Sequence, residues 1–123
     1  MAKVLLIDDD ELSLKLIVIH LEEAGYEVLH CSDGAEGIRA ILEQMPDLVV
    51  LDLNMSYIDG FEVLEAIKGD PITRMLPVIV LFSRSDLNIL EHVIELGAAD
   101  FLQKPIRIEQ LIAVLYRVLG SRT

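Results

Sequence analysis

The stretch LLIDDDEL, residues 5–12, joins three aliphatic residues directly to four acidic ones. An aliphatic run without polar interruption is typical of a strand that is covered on both faces, and acidic side chains seldom continue such a strand. We therefore predict a buried β-strand that ends at Ile7, directly before Asp8. The composition of the stretch raises a question, which is why Asp8, Asp9, Asp10 and Glu11 gather at the end of that strand.

Further along the chain, short aliphatic runs alternate with longer segments whose apolar residues recur at helical spacing. Strands that are apolar throughout and are separated by helices favour a parallel sheet with helices on both faces. The sequence therefore predicts an α/β fold built from five strand–helix units. The predicted strands are Val4–Ile7, Val28–Leu29, Leu48–Leu51, Val78–Phe82 and Phe101–Leu102.

Glycine, proline and capping residues delimit the five predicted helices. In the first helix, Leu12, Leu16, Ile19 and Leu21 fall roughly on one face, a pattern that is typical of a helix packed against a core. A capping box formed by Asp33 and Glu36 opens the second helix. The last three helices are predicted over about 60–68, 86–96 and 108–119, and the five helix ends are marked by Gly25, Pro46, Gly69, Gly97 and Gly120.

Size and charge exclude several classes of protein. The chain has 123 residues, 53% of them hydrophobic, and we expect residues 1–123 to form one domain. Its 21 acidic and 10 basic residues leave a formal charge of −11, which repels nucleic acid and anionic membranes. The sequence has no run of the ~18 apolar residues that a membrane span requires. The single cysteine, Cys31, and the lack of a signal-peptide pattern indicate a cytoplasmic protein.

Two of the predicted strands end at an aspartate. Asp8 follows the first aliphatic run and Asp52 follows the third. The carboxyl ends of parallel strands share one edge of the sheet, and ligands bind there at the point where the strand order reverses. If the order is 2-1-3-4-5, this point lies between strands 1 and 3. We then expect Asp8, Asp9 and Asp52 to meet, with Lys104 reaching toward them from the end of strand 5.

Neighbouring carboxylates repel one another, so such a cluster must protonate, stay hydrated or bind a cation. Oxygen ligands with no cysteine or histidine close by in sequence favour a hard ion, Mg²⁺ or Mn²⁺. An aspartyl-phosphate intermediate requires a carboxylate nucleophile, a metal that neutralises the phosphoryl oxygens and a lysine that holds one of them. The cluster therefore predicts a metal-dependent phosphoryl acceptor.

The chain resembles the receiver domain of two-component response regulators, including its single-domain chemotaxis members, in four stretches. The likeness covers nearly the whole chain and implies a flavodoxin-like, doubly wound sheet with the strand order 2-1-3-4-5. It also implies a signalling domain that accepts a phosphoryl group from a histidine kinase or a phosphotransfer protein. Such a domain is not an enzyme, since its acyl phosphate turns over by slow self-hydrolysis. The matching stretches are VLLIDDD, PDLVVLDLNMSYIDGFEVL, LPVIVLFSRSD and LGAADFLQKP.

The resemblance assigns roles to individual residues. It implies that Asp52 is the phosphoacceptor and that Mg²⁺ is held by Asp8, Asp9, Asp52 and the backbone carbonyl of Asn54. Mn²⁺ is a possible substitute for Mg²⁺. Lys104 would pair with the phosphoryl group.

Other implications of the resemblance concern conformation and partners. The peptide bond between Lys104 and Pro105 would be cis, and Phe101 would be the aromatic residue that changes position on phosphorylation. Helix 4, strand 5 and helix 5 would form the surface that contacts a downstream protein or output domain. We expect a monomer or weak dimer that binds neither nucleic acid nor membrane directly.

One position departs from the pattern of this family. Receivers carry a threonine or serine five residues after the proline that opens strand 4, and this hydroxyl bonds a phosphoryl oxygen; counting from Pro77 gives Phe82. Ser83 follows, but neighbouring side chains in a regular strand face opposite ways, and a bulge would be needed to bring its hydroxyl round. The alternative hypothesis is a receiver-like interaction module whose switching is weakened or independent of phosphorylation. At a second position, Ser56 stands where receivers commonly have proline.

Two further classes share parts of this pattern. Asp8, Asp9 and Asp10 fit the D-x-D motif of haloacid dehalogenase phosphatases, but Leu12 replaces the usual threonine or valine and 123 residues leave no room for a cap. A flavodoxin must cradle a phosphate in its first loop, where the acidic residues of this chain would repel it. Both classes fit the sequence less well than a phosphoryl acceptor does.

Overall fold

The computed structural model describes residues 1–55 and 60–120, and in these residues strands and helices alternate along the chain. Ser56, which stands where the family commonly has proline, lies outside the described residues. The strands are β1 (Lys3–Ile7), β2 (Glu27–Cys31), β3 (Leu48–Asp52), β4 (Val78–Phe82) and β5 (Asp100–Gln103). The helices are α1 (Glu11–Glu23), α2 (Gly34–Gln44), α3 (Gly60–Gly69), α4 (Leu90–Glu95) and α5 (Ile108–Leu119), and a 3-10 helix (Arg84–Ile89) precedes α4.

Within the described residues, the strands form one parallel sheet in the order β2-β1-β3-β4-β5. β1 lies between β2 and β3, so that Leu5 is in register with Leu29 on one side and with Val49 on the other. The predicted flavodoxin-like order is confirmed. Because β1 and β3 are neighbours and run in the same direction, the residues that follow Ile7 and Leu51 come side by side at the carboxyl edge of the sheet.

Side chains of the central strands alternate between two core layers. In β1, Val4 and Leu6 point into the layer under α1 and α5, whereas Leu5 and Ile7 point into the layer under α2, α3 and α4. β3 and β4 are buried at every position, as their apolar sequences predict. The edge strands β2 and β5 are only partly covered. The central strands of the sheet are thus covered on both faces, and the two strand-end aspartates lie at the carboxyl ends of two of these strands, β1 and β3.

Of the four residues on the predicted packing face of α1, only Leu21 is buried, so most of the predicted face is wrong. The helix buries Leu14, Ile17 and Leu21, which form a row at positions i, i+3 and i+7. An alternative row at i, i+4 and i+7 is equally apolar, so spacing alone does not choose between the two rows. Although α1 is apolar on both sides, no helix in residues 1–55 and 60–120 has the length and hydropathy of a membrane span. The other three residues of the predicted face are exposed: Leu12 (69%), Leu16 (51%) and Ile19 (50%).

The remaining helices begin near their predicted starts, with one exception. Asp33 accepts a hydrogen bond from the backbone N–H of Glu36 at 2.8 Å and caps α2. The helix predicted over 86–96 is wrong in its first half, because a 3-10 helix extends to Ile89 and α4 is short. The Asp86 carboxylate accepts bonds from Ser83, and such local bonds compete with a regular helix.

Candidate metal centre

Three carboxylates meet at the carboxyl edge of the sheet, where β1 and β3 end. One oxygen from each of Asp8, Asp9 and Asp52 lies within 4.8 Å of the other two. Asp8 and Asp52 are both 1% exposed, and Asp9 is half-buried. The side chains that the strand order predicts to be neighbours therefore lie together.

The acidic stretch after β1 divides into two pairs with different tasks. Asp8 continues the ladder to β2, since its N–H donates to the carbonyl of Cys31 at 3.1 Å, and its Oδ1 accepts from the N–H of Asp10 at 2.9 Å. Asp10 is the N-cap of α1, and Glu11 lies in the first turn, where the helix dipole favours negative charge. Asp8 and Asp9 face the cluster while the next two residues begin the helix, which answers the question raised by the opening stretch.

Asp52 is held by a cation and by a backbone amide. The Nζ of Lys104 lies 2.5 Å from Oδ1 of Asp52, and the N–H of Asn54 donates to the same oxygen at 3.0 Å. Lys104 follows β5, and its own N–H donates to the carbonyl of Phe82 in β4 at 2.7 Å. The peptide bond between Lys104 and Pro105 is cis, as predicted. The lysine thus reaches across the end of β4 to the buried carboxylate.

Asp8 carries the clearest electrostatic signature of the cluster. The pKa of its carboxyl is raised from 3.8 to about 6, with burial as the largest cause and the nearby Asp52 carboxylate acting in the same direction. The N–H of Asp10 and the charge of Lys104 act in the opposite direction. Desolvation therefore contributes more to the raised pKa of Asp8 than repulsion by Asp52 does. An ionised Asp8 is unfavourable in the folded protein unless a cation offsets its charge.

The donor set fits a hard divalent cation. Its potential ligands are carboxylate oxygens close enough to share one ion, and the described cluster contains no thiolate or imidazole. Mg²⁺ and Mn²⁺ prefer such oxygen ligands, and Mg²⁺ retains several waters when few protein ligands are present. The arrangement is thus suited to a partly hydrated ion whose open positions accept an anion.

Gly60, the first residue of α3, packs directly against the end of β3. A Cβ at this position would lie 2.3 Å from the carbonyl oxygen of Asp52 and 2.5 Å from the Cα of Leu53. The N–H of Gly60 donates to the carbonyl of Leu53 at 3.0 Å. The sequence pattern predicts a helix start here, which is confirmed, but does not reveal this close approach. Glycine is required because any side chain would push α3 away from the backbone of Asp52.

The aromatic residue at the end of β4 is part of the core. Phe82 is 5% exposed and belongs to the layer under α2, α3 and α4. Its ring centroid lies 6.0 Å from that of Phe101, with the ring planes tilted by 57°. Phe101 itself is 37% exposed. The position where a hydroxyl is expected therefore carries a buried ring that supports a half-exposed one.

A hydrogen-bonded cluster of Asn54, Ser83 and Asp86 borders the carboxylates. The Nδ2 of Asn54 donates to Oδ2 of Asp86 and to Oγ of Ser83, both at 2.8 Å. Oδ2 of Asp86 also accepts from the N–H of Ser83 at 2.8 Å and from its hydroxyl at 3.1 Å. The sequence predicts Asp86 only as part of a helix, and nothing in the pattern predicts its contact with Asn54. The one available signal is the Ser-x-x-Asp pattern after β4, which is typical of a helix start.

Comparison with known proteins identifies one family and several similar structures. The family model described as the response regulator receiver domain matches residues 4–116. The DNA-binding dual master transcriptional regulator RpaA of Synechocystis sp. is 36% identical over 123 residues, which are 100% of this chain and 51% of RpaA. The probable chemotaxis protein CheY of Rhizobium etli is 32% identical over 97% of this chain and 93% of its own length.

A crystal structure of the receiver domain of sensor histidine kinase PA1611 from Pseudomonas aeruginosa PAO1 has a TM-score of 0.88 to this chain. Its sequence is 27% identical, the likeness covers 98% of each chain, and that structure has a magnesium ion coordinated in its active site cleft. The chain spans about half the length of RpaA and of several other curated relatives that it matches. Its similarity to them therefore concerns one part of those proteins.

Proposed function

The chain belongs to the family of response regulator receiver domains, and we propose that it is a phosphoacceptor signalling domain of a two-component system. Domains of this family interact with histidine kinases or phosphotransfer proteins and with output domains. In the proposed reaction, Asp52 takes the phosphoryl group of a phosphohistidine, with Mg²⁺ or Mn²⁺ bound by Asp8, Asp9, Asp52 and the backbone carbonyl of Asn54. The observation that supports this most strongly is the contact of Lys104 with Asp52 inside a cluster of carboxylates.

The transfer requires an oriented carboxylate nucleophile. Lys104 and the N–H of Asn54 both hold Oδ1 of Asp52, which limits rotation of the carboxyl group. An oxygen of Asp52 forms the new bond to phosphorus while the bond between phosphorus and the donor imidazole breaks. The electron pair of that bond stays on the imidazole nitrogen, and the ring, protonated on its other nitrogen, leaves neutral. The product is an acyl phosphate on Asp52.

The surrounding charges favour this product. When it is bound, Mg²⁺ supplies positive charge that offsets the negative charge of the phosphoryl oxygens. Asp8 and Asp9 contribute the oxygens that would hold the ion beside Asp52. Lys104 offsets the charge of Asp52 in the unmodified protein and pairs with a phosphoryl oxygen once Asp52 is phosphorylated. Loss of the phosphoryl group is slow self-hydrolysis, so we propose a signalling role and not an enzymatic one.

Phosphorylation by a small donor tests the proposal. Incubation with acetyl phosphate and Mg²⁺ should add one phosphoryl group to the wild type, detected by the mass of the intact protein, and none to Asp52→Asn. Asp47→Asn is a matched control, because Asp47 accepts a bond from the N–H of Lys3 at the opposite edge of the sheet. Its uptake should equal that of the wild type. A wild type that takes up no phosphoryl group, or an Asp52→Asn variant that does, contradicts the proposal.

A second candidate function is an interaction module with weakened or phosphorylation-independent switching. It is favoured by Phe82, which is buried against Phe101 and has no hydroxyl that could bond a phosphoryl oxygen. A regular hydrogen bond to a charged group contributes ~1.5–3 kcal/mol, so its loss would weaken the coupling between phosphorylation and shape. Amide exchange in α4, β5 and α5 distinguishes the candidates: a change on phosphorylation supports the switch, and no change supports the module.

We propose that downstream contacts use the surface formed by α4, β5 and α5. Each of these elements carries a large exposed apolar side chain: Ile94 (49%), Phe101 (37%) and Tyr116 (59%). The charge of −11 disfavours direct contact with nucleic acid or an anionic membrane. A single cysteine suits a cytoplasmic location. We propose a monomer or weak dimer in which a partner protein covers this surface.

A further inference from the structure

Asn54 is fastened both at its main chain and at its side chain. Its N–H donates to Oδ1 of Asp52 at 3.0 Å, and its Nδ2 donates to Oδ2 of Asp86 at 2.8 Å. The residue therefore bridges the end of β3 and the 3-10 helix that follows β4. A change in the position of Asp86 would be transmitted through the Asn54 side chain to the backbone beside Asp52.

Asp86 is well suited to act as an anchor. Asp86 is only 7% exposed, and its Oδ2 accepts three hydrogen bonds. Two of these come from Ser83, the residue that directly follows β4, so that the carboxylate is tied to the central sheet. A buried carboxylate with three donors on one oxygen has little freedom to move, because displacement would leave a desolvated charge without partners.

We propose that Asp86 is a positioning residue for the metal and phosphoryl site, and that it acts through Asn54. By holding the side chain of Asn54, Asp86 keeps the N–H of Asn54 on Asp52 and keeps the backbone carbonyl of Asn54 available to the cation. Residues that orient metal ligands without touching the metal commonly change its affinity by 10–100-fold when they are removed. This inference rests on the proposed function, since it concerns the same cation and the same acceptor.

Two substitutions distinguish the effect of the hydrogen-bond acceptor of Asp86 from the effect of its charge. Asp86→Ala removes both the acceptor and the charge, whereas Asp86→Asn removes the charge but retains an oxygen that accepts from Asn54. Titration calorimetry with MgCl₂ should show binding about tenfold weaker in Asp86→Ala and within about twofold of the wild type in Asp86→Asn. Equal losses in the two variants would overturn the proposal, because charge and not position would then be responsible.

Amide exchange in metal-free buffer provides a measurement that does not depend on Mg²⁺. Asp86→Ala should speed exchange of the Asn54 N–H, which is bonded to Asp52, and should leave the amides of β1 and β3 protected. Asn54→Ala removes the same bond from its other end and should also weaken Mg²⁺ binding by about tenfold. It serves as the second variant if Asp86→Ala does not fold.

Asp70→Ala is the matched control. Asp70 also accepts a backbone bond, from the N–H of Ile72 at 2.8 Å, but it follows α3 and precedes β4, at the opposite edge of the sheet. Its removal should change neither Mg²⁺ binding nor exchange at Asn54. If Asp70→Ala lowers Mg²⁺ affinity as much as Asp86→Ala does, a general effect of charge or stability explains the result and the proposal is overturned.

Failure of this inference and failure of the proposed function give different results. A wild type that binds no Mg²⁺ and accepts no phosphoryl group refutes the proposed function, whatever the exchange at Asn54. A wild type that binds Mg²⁺ normally, together with an Asp86→Ala variant that has unchanged Mg²⁺ affinity and unchanged exchange at Asn54, refutes only the positioning role. Weaker Mg²⁺ binding and faster exchange in Asp86→Ala, both restored in Asp86→Asn, support it.

Discussion

The ammonium group of Lys104 lies 2.5 Å from Oδ1 of Asp52, although Lys104 follows β5 and Asp52 ends β3, with β4 between the two strands. Asp52 thus has a cationic partner in the protein itself. Asp8 is as deeply buried, yet its pKa is raised to about 6, with burial as the main cause. Burial therefore opposes ionisation of Asp8, whereas the carboxylate of Asp52 has the ammonium group of Lys104 beside it.

We expect Asp8→Asn to stabilise the metal-free protein more than Asp52→Asn does. The first change removes a buried charge whose ionisation is unfavourable, whereas the second also leaves Lys104 without its carboxylate partner. The gain for Asp8→Asn should be roughly 1–3 kcal/mol at about pH 7, because the pKa of Asp8 is raised from 3.8 to about 6. Thermal unfolding in EDTA measures both variants. A larger gain in thermal stability for Asp52→Asn than for Asp8→Asn would show that Lys104 does not offset the negative charge of Asp52.

The pH dependence of stability should report the ionisation of Asp8. Its pKa is raised in the folded state, so that between about pH 4 and pH 6 the folded protein binds more protons than the unfolded one. Stability from this group is therefore highest below its ordinary pKa and falls as the pH rises to about 6. Denaturant unfolding in EDTA should give a difference between the wild type and Asp8→Asn that grows over this interval and is constant above it. A difference independent of pH would contradict the assignment.

Addition of Mg²⁺ should reverse the cost of ionised carboxylates. A ligand that binds only the folded state stabilises it by about 2.7 kcal/mol at a concentration one hundred times its dissociation constant. The melting temperature of the wild type should therefore rise with MgCl₂, and that of Asp8→Asn should rise much less. KCl at the same ionic strength controls for screening. An equal rise with KCl would indicate screening of the charge of −11 and no bound ion.

Gly60→Ala should disturb both the stability and the acceptor. The new Cβ would meet the backbone of Asp52 at 2.3 Å, so α3 or the end of β3 must move, and such overpacking costs about 1–3 kcal/mol. Phosphorylation by acetyl phosphate should slow as Asp52 shifts. Gly69→Ala in the same helix is a matched control, because its Cβ would meet nothing within 4 Å. Equal effects of the two substitutions would rule out the close approach as the cause.

Phe82→Thr should strengthen the response of α4, β5 and α5 to phosphorylation. The hydroxyl would supply a donor for a phosphoryl oxygen, at a cost in stability of about 3 kcal/mol or more for the lost ring. Phe82→Leu also shrinks the side chain but adds no hydroxyl, and it controls for loosening of the core. Amide exchange before and after phosphorylation compares the variants. If Phe82→Thr responds no more strongly than Phe82→Leu, the missing hydroxyl does not limit the switch.

The strand positions and the meeting of Asp8 with Asp52 could be predicted because they depend on long apolar runs and on sheet topology. A run such as Leu48–Leu51 fits a central strand far better than any other element, and parallel strands bring their ends to one edge. These features involve many residues that all favour the same structure. The fold is therefore well determined by the pattern of the sequence.

The face of α1 and the contact of Asp86 with Asn54 could not be predicted, because each depends on a choice between similar local alternatives. Leu14 and Leu16 are equally apolar, and only the packing of α1 against the sheet and α5 determines that the first is buried. Asp86 resembles an ordinary residue at a helix start until its contact with Asn54 is known. Contacts between side chains distant in sequence leave no periodic signal.

The pairing of β1 with β3 has a consequence for folding itself. Asp8 and Asp52 belong to different strands, so their oxygens come together only in molecules where those two strands are aligned in the native register. A chain in which only β1 and β2 have paired has Asp8 and Asp9 in place but lacks the oxygen of Asp52, so the cluster is incomplete. Any ion bound by the three carboxylates would therefore stabilise only those chains in which the strands are paired in the native order, and it would slow their unfolding.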